Sequence, residues 1–279
     1  MAKAYSLLSW NIEHFGDWFG EDLQNRILRV ADEIKTANPD VFAIYEVEGK
    51  EVFKPMVENF PDYSFHITEG PQVQETLVAV RNGITSFYTQ RVEFKSGIHL
   101  LRPGSLLTLR IDGRNYPILF LHLKSFDDPR SFGLRDDMLR MAVKFSSVLK
   151  ENDQPANYLF IGDLNIMGMN YYYDRDIQPE VERNKHDTYA SRYYSMQRLD
   201  KTYPHTWSNG SASSYPAADL DHCYAAKHLN FKLFNNKNGQ GQSPVDVRGW
   251  VDESSVARQD QWIADYSDHS YLFLEVQKV

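Results

Sequence analysis

The chain has 279 residues, 42% of them hydrophobic and 24% charged, with a net charge of −8. This composition disfavours disordered and membrane classes, and no apolar run approaches the ~20 residues of a membrane-spanning helix. Cys223 is the one cysteine, so no internal disulfide forms, and with no apolar leader after Met1-Ala2-Lys3 a cytoplasmic protein without a membrane anchor is expected.

Residues 5–10 read as a buried strand ending in Asn11-Ile12-Glu13-His14. From Asp22, which suits an N-cap, Leu23, Ile27, Val30 and Ile34 recur at helical spacing until Asn38-Pro39-Asp40 stops the helix. Residues 41–45 form a second strand with Glu46 and Glu48 at its end, and strand–helix–strand in this order points to a crossover and a mixed or parallel sheet. A short helix is predicted over 51–60, strands over 63–67 and 76–81, and an Asn82-Gly83 turn into a strand over 84–94. Residues 106–111 and 116–121 read as a β-hairpin running into His122-Leu123-Lys124-Ser125. Leu134, Met138, Met141, Phe145 and Leu149 mark one face of a second helix, which leads through 152–155 to the strand Leu159-Phe160-Ile161-Gly162-Asp163. Residues 168–203 are rich in tyrosine, with a helix predicted over 182–199 and most of the tyrosines expected to pack on the body of the protein. Strands are read over 229–234 and 271–276, with a Gly/Asn-rich loop at 235–241 and a mixed stretch at 246–265. With no internal repeat and no linker-like break, residues 1–279 are expected to form one domain, and the protein a monomer.

Six strands carry acids, amides or imidazoles at one end: Asn11 and Glu13, Glu46, His122, Asp163 and Asn165, Asp221, and Asp268 with His269. A single Asp after an apolar strand is ordinary turn chemistry, but this repeated set is not. Catalytic groups collect at one edge of α/β sheets. Alternation along a strand would turn Asp163 and Asn165 the same way. A carboxylate that takes a proton beside an amide that holds an oxygen suits hydrolysis of a phosphate ester.

In order, Ser9-Trp10-Asn11-Ile12-Glu13, Tyr45-Glu46, His122-Leu123-Lys124-Ser125, Gly162-Asp163-Leu164-Asn165, Leu220-Asp221-His222 and Ser267-Asp268-His269 resemble the motifs of the endonuclease/exonuclease/phosphatase superfamily. Thr202-Tyr203-Pro204-His205-Thr206-Trp207 also resembles the segment preceding its Leu-Asp-His strand. The resemblance runs from Trp10 to His269. It implies a four-layer α/β sandwich, two packed mixed β-sheets flanked by helices, with a divalent-metal phosphoesterase site at one edge.

On this resemblance Glu46 is the main ligand of Mg²⁺, with Mn²⁺ as the alternative ion. Asn11 and Asp268 complete the metal surroundings, and Glu13 is a further candidate. Asp163 orients or deprotonates the attacking water, and Asn165 holds a nonbridging oxygen. Asp221 orients His269, the general base or phosphate-stabilising imidazole, and His122 donates to the phosphate. Lys124 and Arg135 are candidates for phosphate binding, against an equal reading as a solvated loop and helix face. His222 and Cys223 are read as structural. One departure stands out: many relatives carry Gln before the metal Glu, where this chain has Tyr45, which leaves the carboxylate's orientation open.

Three functions follow for test. The first is a nuclease hydrolysing DNA or RNA phosphodiester bonds, with the Tyr-rich segment and its interleaved cations as the nucleic-acid contact. The second is a phosphatase or phospholipase C-like hydrolase of a small-molecule or lipid phosphoester, which the acidic balance suits better than a broad basic footprint would. The third is a binding protein that keeps the fold without catalysis.

Overall fold

The computed structural model describes residues 2–16, 22–151, 154–173 and 175–279. The chain opens with β1 (Lys3–Phe15), α1 (Leu23–Ala37), β2 (Val41–Val47), α2 (Lys50–Asn59), β3 (Tyr63–Ile67) and β4 (Glu75–Arg81). Next come β5 (Thr85–Arg91), β6 (Gly104–Ile111), β7 (Arg114–His122), α3 (Pro129–Lys150), β8 (Leu159–Asp163), α4 (Pro179–Tyr194), β9 (Met196–Arg198) and β10 (Asp221–Ala226). It closes with β11 (Phe234–Asn235), β12 (Gln242–Ser243), β13 (Asp246–Arg248), α5 (Val256–Asp265) and β14 (Tyr271–Gln277). These elements group into two compact units of discontinuous chain. One is Met1–Ile84, Asp200–Ala218 and Asn230–Val279; the other is Thr85–Leu199 and Asp219–Leu229.

The first unit holds a six-stranded sheet in the order β13-β14-β1-β2-β4-β3. Its central pairing, β1 with β2, is parallel, and the pairings outside it are antiparallel. Period-two alternation puts Leu8, Trp10 and Ile12 of β1 and Phe42 and Ile44 of β2 in one core with Ile27, Val30 and Ile34 of α1, Met56 of α2 and Trp262 of α5. The second unit repeats the plan in the order β5-β6-β7-β8-β10-β9, with β7 and β8 as its parallel centre. Leu119 and Leu121 of β7, Phe160 of β8 and Tyr224 of β10 pack with Met138, Leu139, Ala142 and Val143 of α3 and Ala190 of α4. Two mixed sheets flanked by helices are the α/β sandwich class expected from the sequence. No helix among the described residues is long and apolar enough to cross a membrane.

Several local expectations change. β1 runs on to Phe15 and β2 to Val47, so Asn11, Glu13 and Glu46 lie within strands instead of after them. The Asn82-Gly83 turn joins strands of different sheets, and β5 gives way at Val92–Lys95 to a 3₁₀ turn. The β6–β7 hairpin closes on Asp112-Gly113 alone, at φ 49° and 78°, the two-residue turn whose twist matches the strands. α3 begins at Pro129, and its buried face is Met138, Leu139, Ala142, Val143 and Phe145, while Leu134, Met141 and Leu149 are only partly covered. α4 spans Pro179–Tyr194 and stops at Ser195, which takes a left-handed φ of 54° before β9. Over 229–234 the expected strand reduces to an isolated bridge from Phe231 to Val276 and the start of β11. Asp22 sits at the start of α1 without capping it, its carboxylate bonding Asn25 and Arg29 instead. The connector expected at 152–155 lies partly outside the described residues.

Asp128 caps α3: its carboxylate accepts from the N–H groups of Arg130 (3.0 Å) and Ser131 (3.1 Å) and from the Ser131 hydroxyl (2.6 Å). The Ser131 hydroxyl, then the two N–H groups, hold the Asp128 carboxyl below its ordinary value. A depressed carboxyl stabilises the fold above the unfolded value near pH 4 and loses that contribution as pH falls through the folded one. Asp128→Ala is therefore expected to lower stability by about 1 kcal/mol at neutral pH. The urea midpoint at unchanged m-value measures this, and the gap from the parent should close below about pH 4.

Candidate active site

In the first unit, the polar residues cluster where β1 and β2 lose regular register, between Asn11 and Phe15 on one strand and between Ile44 and Val47 on the other. Glu46 sits in that irregularity at φ 63°, which a non-glycine residue rarely adopts without a functional or structural demand. Its Oε1 accepts from Asn11 Nδ2 (3.1 Å); its Oε2 accepts from Gln74 Nε2 (2.7 Å) and the His14 N–H (2.9 Å). Gln74, invisible as a site residue in the sequence, thus supplies a carboxamide to the glutamate, while Tyr45, buried beside it, bonds Ser9 (2.9 Å). The orientation left open by the Tyr45 departure is settled by these three donors.

Asp268 and His269 reach the same unit's cluster just ahead of β14. Trp207 Nε1 donates to Asp268 Oδ2 (2.6 Å), Trp10 Nε1 donates to the His269 carbonyl (2.9 Å), and the Ser267 hydroxyl bonds the Asn11 carbonyl (2.7 Å). Behind them Trp10 stacks with Trp262 at 5.8 Å and meets Tyr271 at 5.2 Å, so a rigid aromatic layer backs the segment. Burial raises the Glu13 carboxyl above its ordinary value, and the charges of Asp268 and Glu46 add to the shift while Arg26 opposes it. Arg26 is itself buried, bonding the Glu13 and Tyr266 carbonyls (2.9 and 2.6 Å), and burial lowers it to about 10.

Glu46, Asp268, Glu13 and the Asn11 amide offer hard oxygen donors in a region of surplus negative charge, which fits Mg²⁺ or Mn²⁺. Among the described residues no three His, Cys, Asp or Glu side chains close around an ion by themselves.

In the second unit, β7 ends on His122 and β8 on Asp163, paired in register, with His122 Nε2 3.6 Å from Asp163 Oδ2. Asp221 opens β10 directly opposite Asp163. All three are buried, as is Asn165. Two carboxyl groups thus share one buried rung. Asn165 lies beyond the strand at φ 50°, so alternation does not bring it to Asp163. A turn does, with the Asn165 N–H donating to Asp163 Oδ1 (3.0 Å). Its side chain donates to the Leu123 carbonyl (3.3 Å), using one of two amide hydrogens.

The structure therefore gathers Asn11, Glu13, Glu46, Asp268 and His269 in one unit and His122, Asp163, Asn165 and Asp221 in the other. Lys124 is half-buried, bonds the Ser125 carbonyl (3.0 Å) and lies over the Phe126 ring at 4.5 Å. Arg135 departs from the expectation of a phosphate contact. It is fully buried, pairs with buried Glu182 through Nε (3.0 Å) and Nη2 (3.1 Å), and donates to the carbonyls of Lys124, Phe126 and Gly168. Its spacing on α3 resembled a solvated face, and only Glu182, 47 residues on, reveals the pair. His222 is buried against the Asp219 carbonyl (3.0 Å), and Cys223 is wholly buried, which pushes its thiol well above the ordinary value.

One mixed sheet thus carries a carboxylate-rich cluster and the other a His–Asp–Asn–Asp cluster. The chain belongs to the endonuclease/exonuclease/phosphatase family, whose model matches residues 8–269. Among solved structures it resembles truncated TDP2 from Caenorhabditis elegans, at 17% identity and TM-score 0.65, covering 98% of this chain and 97% of that one. TDP2 from D. rerio complexed with single strand DNA product is similar at 16% identity and TM-score 0.65 over 98% of each chain. A mannosyl-6-phosphatase from Bacteroides thetaiotaomicron is similar at 15% identity and TM-score 0.62, over 98% of this chain and 99% of that one. No curated protein matches.

The buried Arg135–Glu182 pair makes a direct prediction. Removing one partner strands a buried charge, so Arg135→Met should lower stability by about 3–5 kcal/mol, and Arg135→Met/Glu182→Leu should recover much of the loss. Thermal unfolding of the two variants checks this; equal losses would show that packing, not charge, dominates.

Proposed function

We propose that the protein hydrolyses phosphodiester bonds of nucleic acid, DNA or RNA, by direct attack of an activated water. The observation that carries this reading is the buried rung of Asp163 and Asp221 beside His122 and Asn165. Asp163 orients the water. The proton goes to Asp163 or to His269. His122 and Asn165 donate to nonbridging oxygens, where preorganised donors stabilise developing charge. Glu46, Asn11 and Asp268, with Glu13, would hold Mg²⁺ or Mn²⁺, which when bound supplies positive charge to the phosphate and acidifies water. No covalent nucleophile is required.

Nucleic acid is favoured by the exposed Phe126, Tyr171, Tyr172, Tyr173 and Arg175 on the loops that follow His122 and Asn165. The zebrafish TDP2 complexed with single strand DNA product supports the same direction. The second reading, a phosphatase or phospholipase C-like hydrolase, is favoured by the net charge of −8 and by the similarity to a mannosyl-6-phosphatase.

A panel of DNA, RNA, abasic DNA, inositol phosphates, sugar phosphates and sphingomyelin, run with Mg²⁺ and then with EDTA, separates the readings. Oligonucleotide cleavage lost in EDTA and reduced about 10²–10⁴-fold in Asp163→Ala is expected. Turnover of the small esters alone would replace the first reading with the second. Glu46→Gln should weaken Mg²⁺ binding in calorimetry; an unchanged isotherm would remove Glu46 from the metal site.

A further inference from the structure

The loops that leave His122 and Asn165 carry four aromatic rings to the surface. Phe126 is 64% exposed, Tyr171 40%, Tyr172 89% and Tyr173 83%. Single exposed apolar residues need no explanation, but a contiguous group does. The Tyr172 and Tyr173 rings meet edge to face at 4.9 Å, and Tyr171 and Tyr173 at 6.3 Å, so the three form one group.

These rings stand on a braced stalk. Met169 and Ile177 exchange two backbone hydrogen bonds of 2.7 Å, and the Tyr171 N–H bonds Asp176 Oδ1 (3.1 Å). Gly168 opens the stalk at φ 74°, where a Cβ would fall 2.1 Å from the Ile177 carbonyl oxygen, so glycine is required. The Asn170 N–H donates to the Asp127 carbonyl (2.7 Å), tying the residues next to Tyr171 and Phe126 to each other. The buried Arg135–Glu182 pair anchors both loops: Arg135 holds the carbonyls of Phe126 and Gly168, and Glu182 accepts the Gly168 N–H (2.7 Å). Phe126 keeps a left-handed φ of 78° under that grip. Lys124 lies against its ring, Arg175 is exposed on the second loop, and Arg130 is exposed in the first turn of α3.

Resting on the phosphodiesterase reading, we propose that Phe126, Tyr171, Tyr172 and Tyr173 form a stacking platform for unpaired bases, and that this platform selects single-stranded nucleic acid. Every base offers a π-face, so rings and cations on two braced loops bind a strand with little regard to sequence. Duplex bases are already stacked and do not offer that face.

Fluorescence anisotropy of labelled oligo(dT) and of a blunt duplex of equal length tests the platform, using Asp163→Ala to prevent cleavage. The single strand should bind about tenfold or more tightly than the duplex, and Tyr172→Ala/Tyr173→Ala should lose about tenfold or more of that affinity. Tyr172→Phe/Tyr173→Phe, which keeps both rings, should restore it, and thermal unfolding verifies that all variants fold. Equal affinity for strand and duplex, or binding indifferent to loss of the rings, overturns the proposal. Ring-dependent binding by a parent enzyme that cleaves no oligonucleotide keeps the platform and sinks the phosphodiesterase reading. A parent that cleaves oligonucleotides, with a KM unmoved by the alanine pair, does the reverse.

Discussion

Parallel pairing at the centre of each sheet is the constraint on which both polar clusters depend. Two adjacent parallel strands deliver their carboxyl ends to the same edge, and an antiparallel neighbour begins where they finish. β1 and β2 bring Asn11 and Glu46 to such an edge, and the segment entering β14 adds Asp268 and His269. β7 and β8 bring His122 and Asp163, and β10 starts on Asp221. No sequence repeat announces this shared plan, because a strand order can recur while the side chains that fill it diverge.

Regular pairing brings these residues near one another but does not aim them. Both clusters are finished by backbone that breaks the ladder: Glu46 at φ 63° and Asn165 at φ 50°. Such conformations cost about 1–3 kcal/mol each and persist only when surroundings enforce them. Around Glu46 the enforcement is polar, from Asn11, Gln74 and the His14 N–H. Around Asn165 it is the Asp163 carboxylate and the Leu123 carbonyl. In each case a group proposed for chemistry is also a structural partner of its neighbour, so a substitution there disturbs shape together with charge.

What was legible in the sequence follows from range. Apolar runs ending in Asn, Glu, His or Asp report local alternation and termination, so the two mixed sheets and the residues at their edges were readable. The parts that were not depend on distant partners. Arg135 on a helix and Glu182 on another look solvated until the fold joins them. Gln74 precedes a strand with no periodicity to mark it. The tyrosines divided by local structure. Those at 171–173 follow the Met169–Ile177 bridge and are exposed, whereas Tyr189 and Tyr194, carried by α4, pack partly into the core. Tyrosine content alone does not distinguish a stacking surface from a packed one.

Cys223 lies on β10 in register with Ile161, one rung beyond Gly162 and two from Asp163, and no part of it meets solvent. As the chain's sole thiol, buried at rest, it reacts with an alkylating agent only when local opening exposes it. Its labelling rate is therefore a clock for opening of the structure around β10, read from one atom without an introduced probe. Any ligand that suppresses that opening should slow the clock, even where no product is formed.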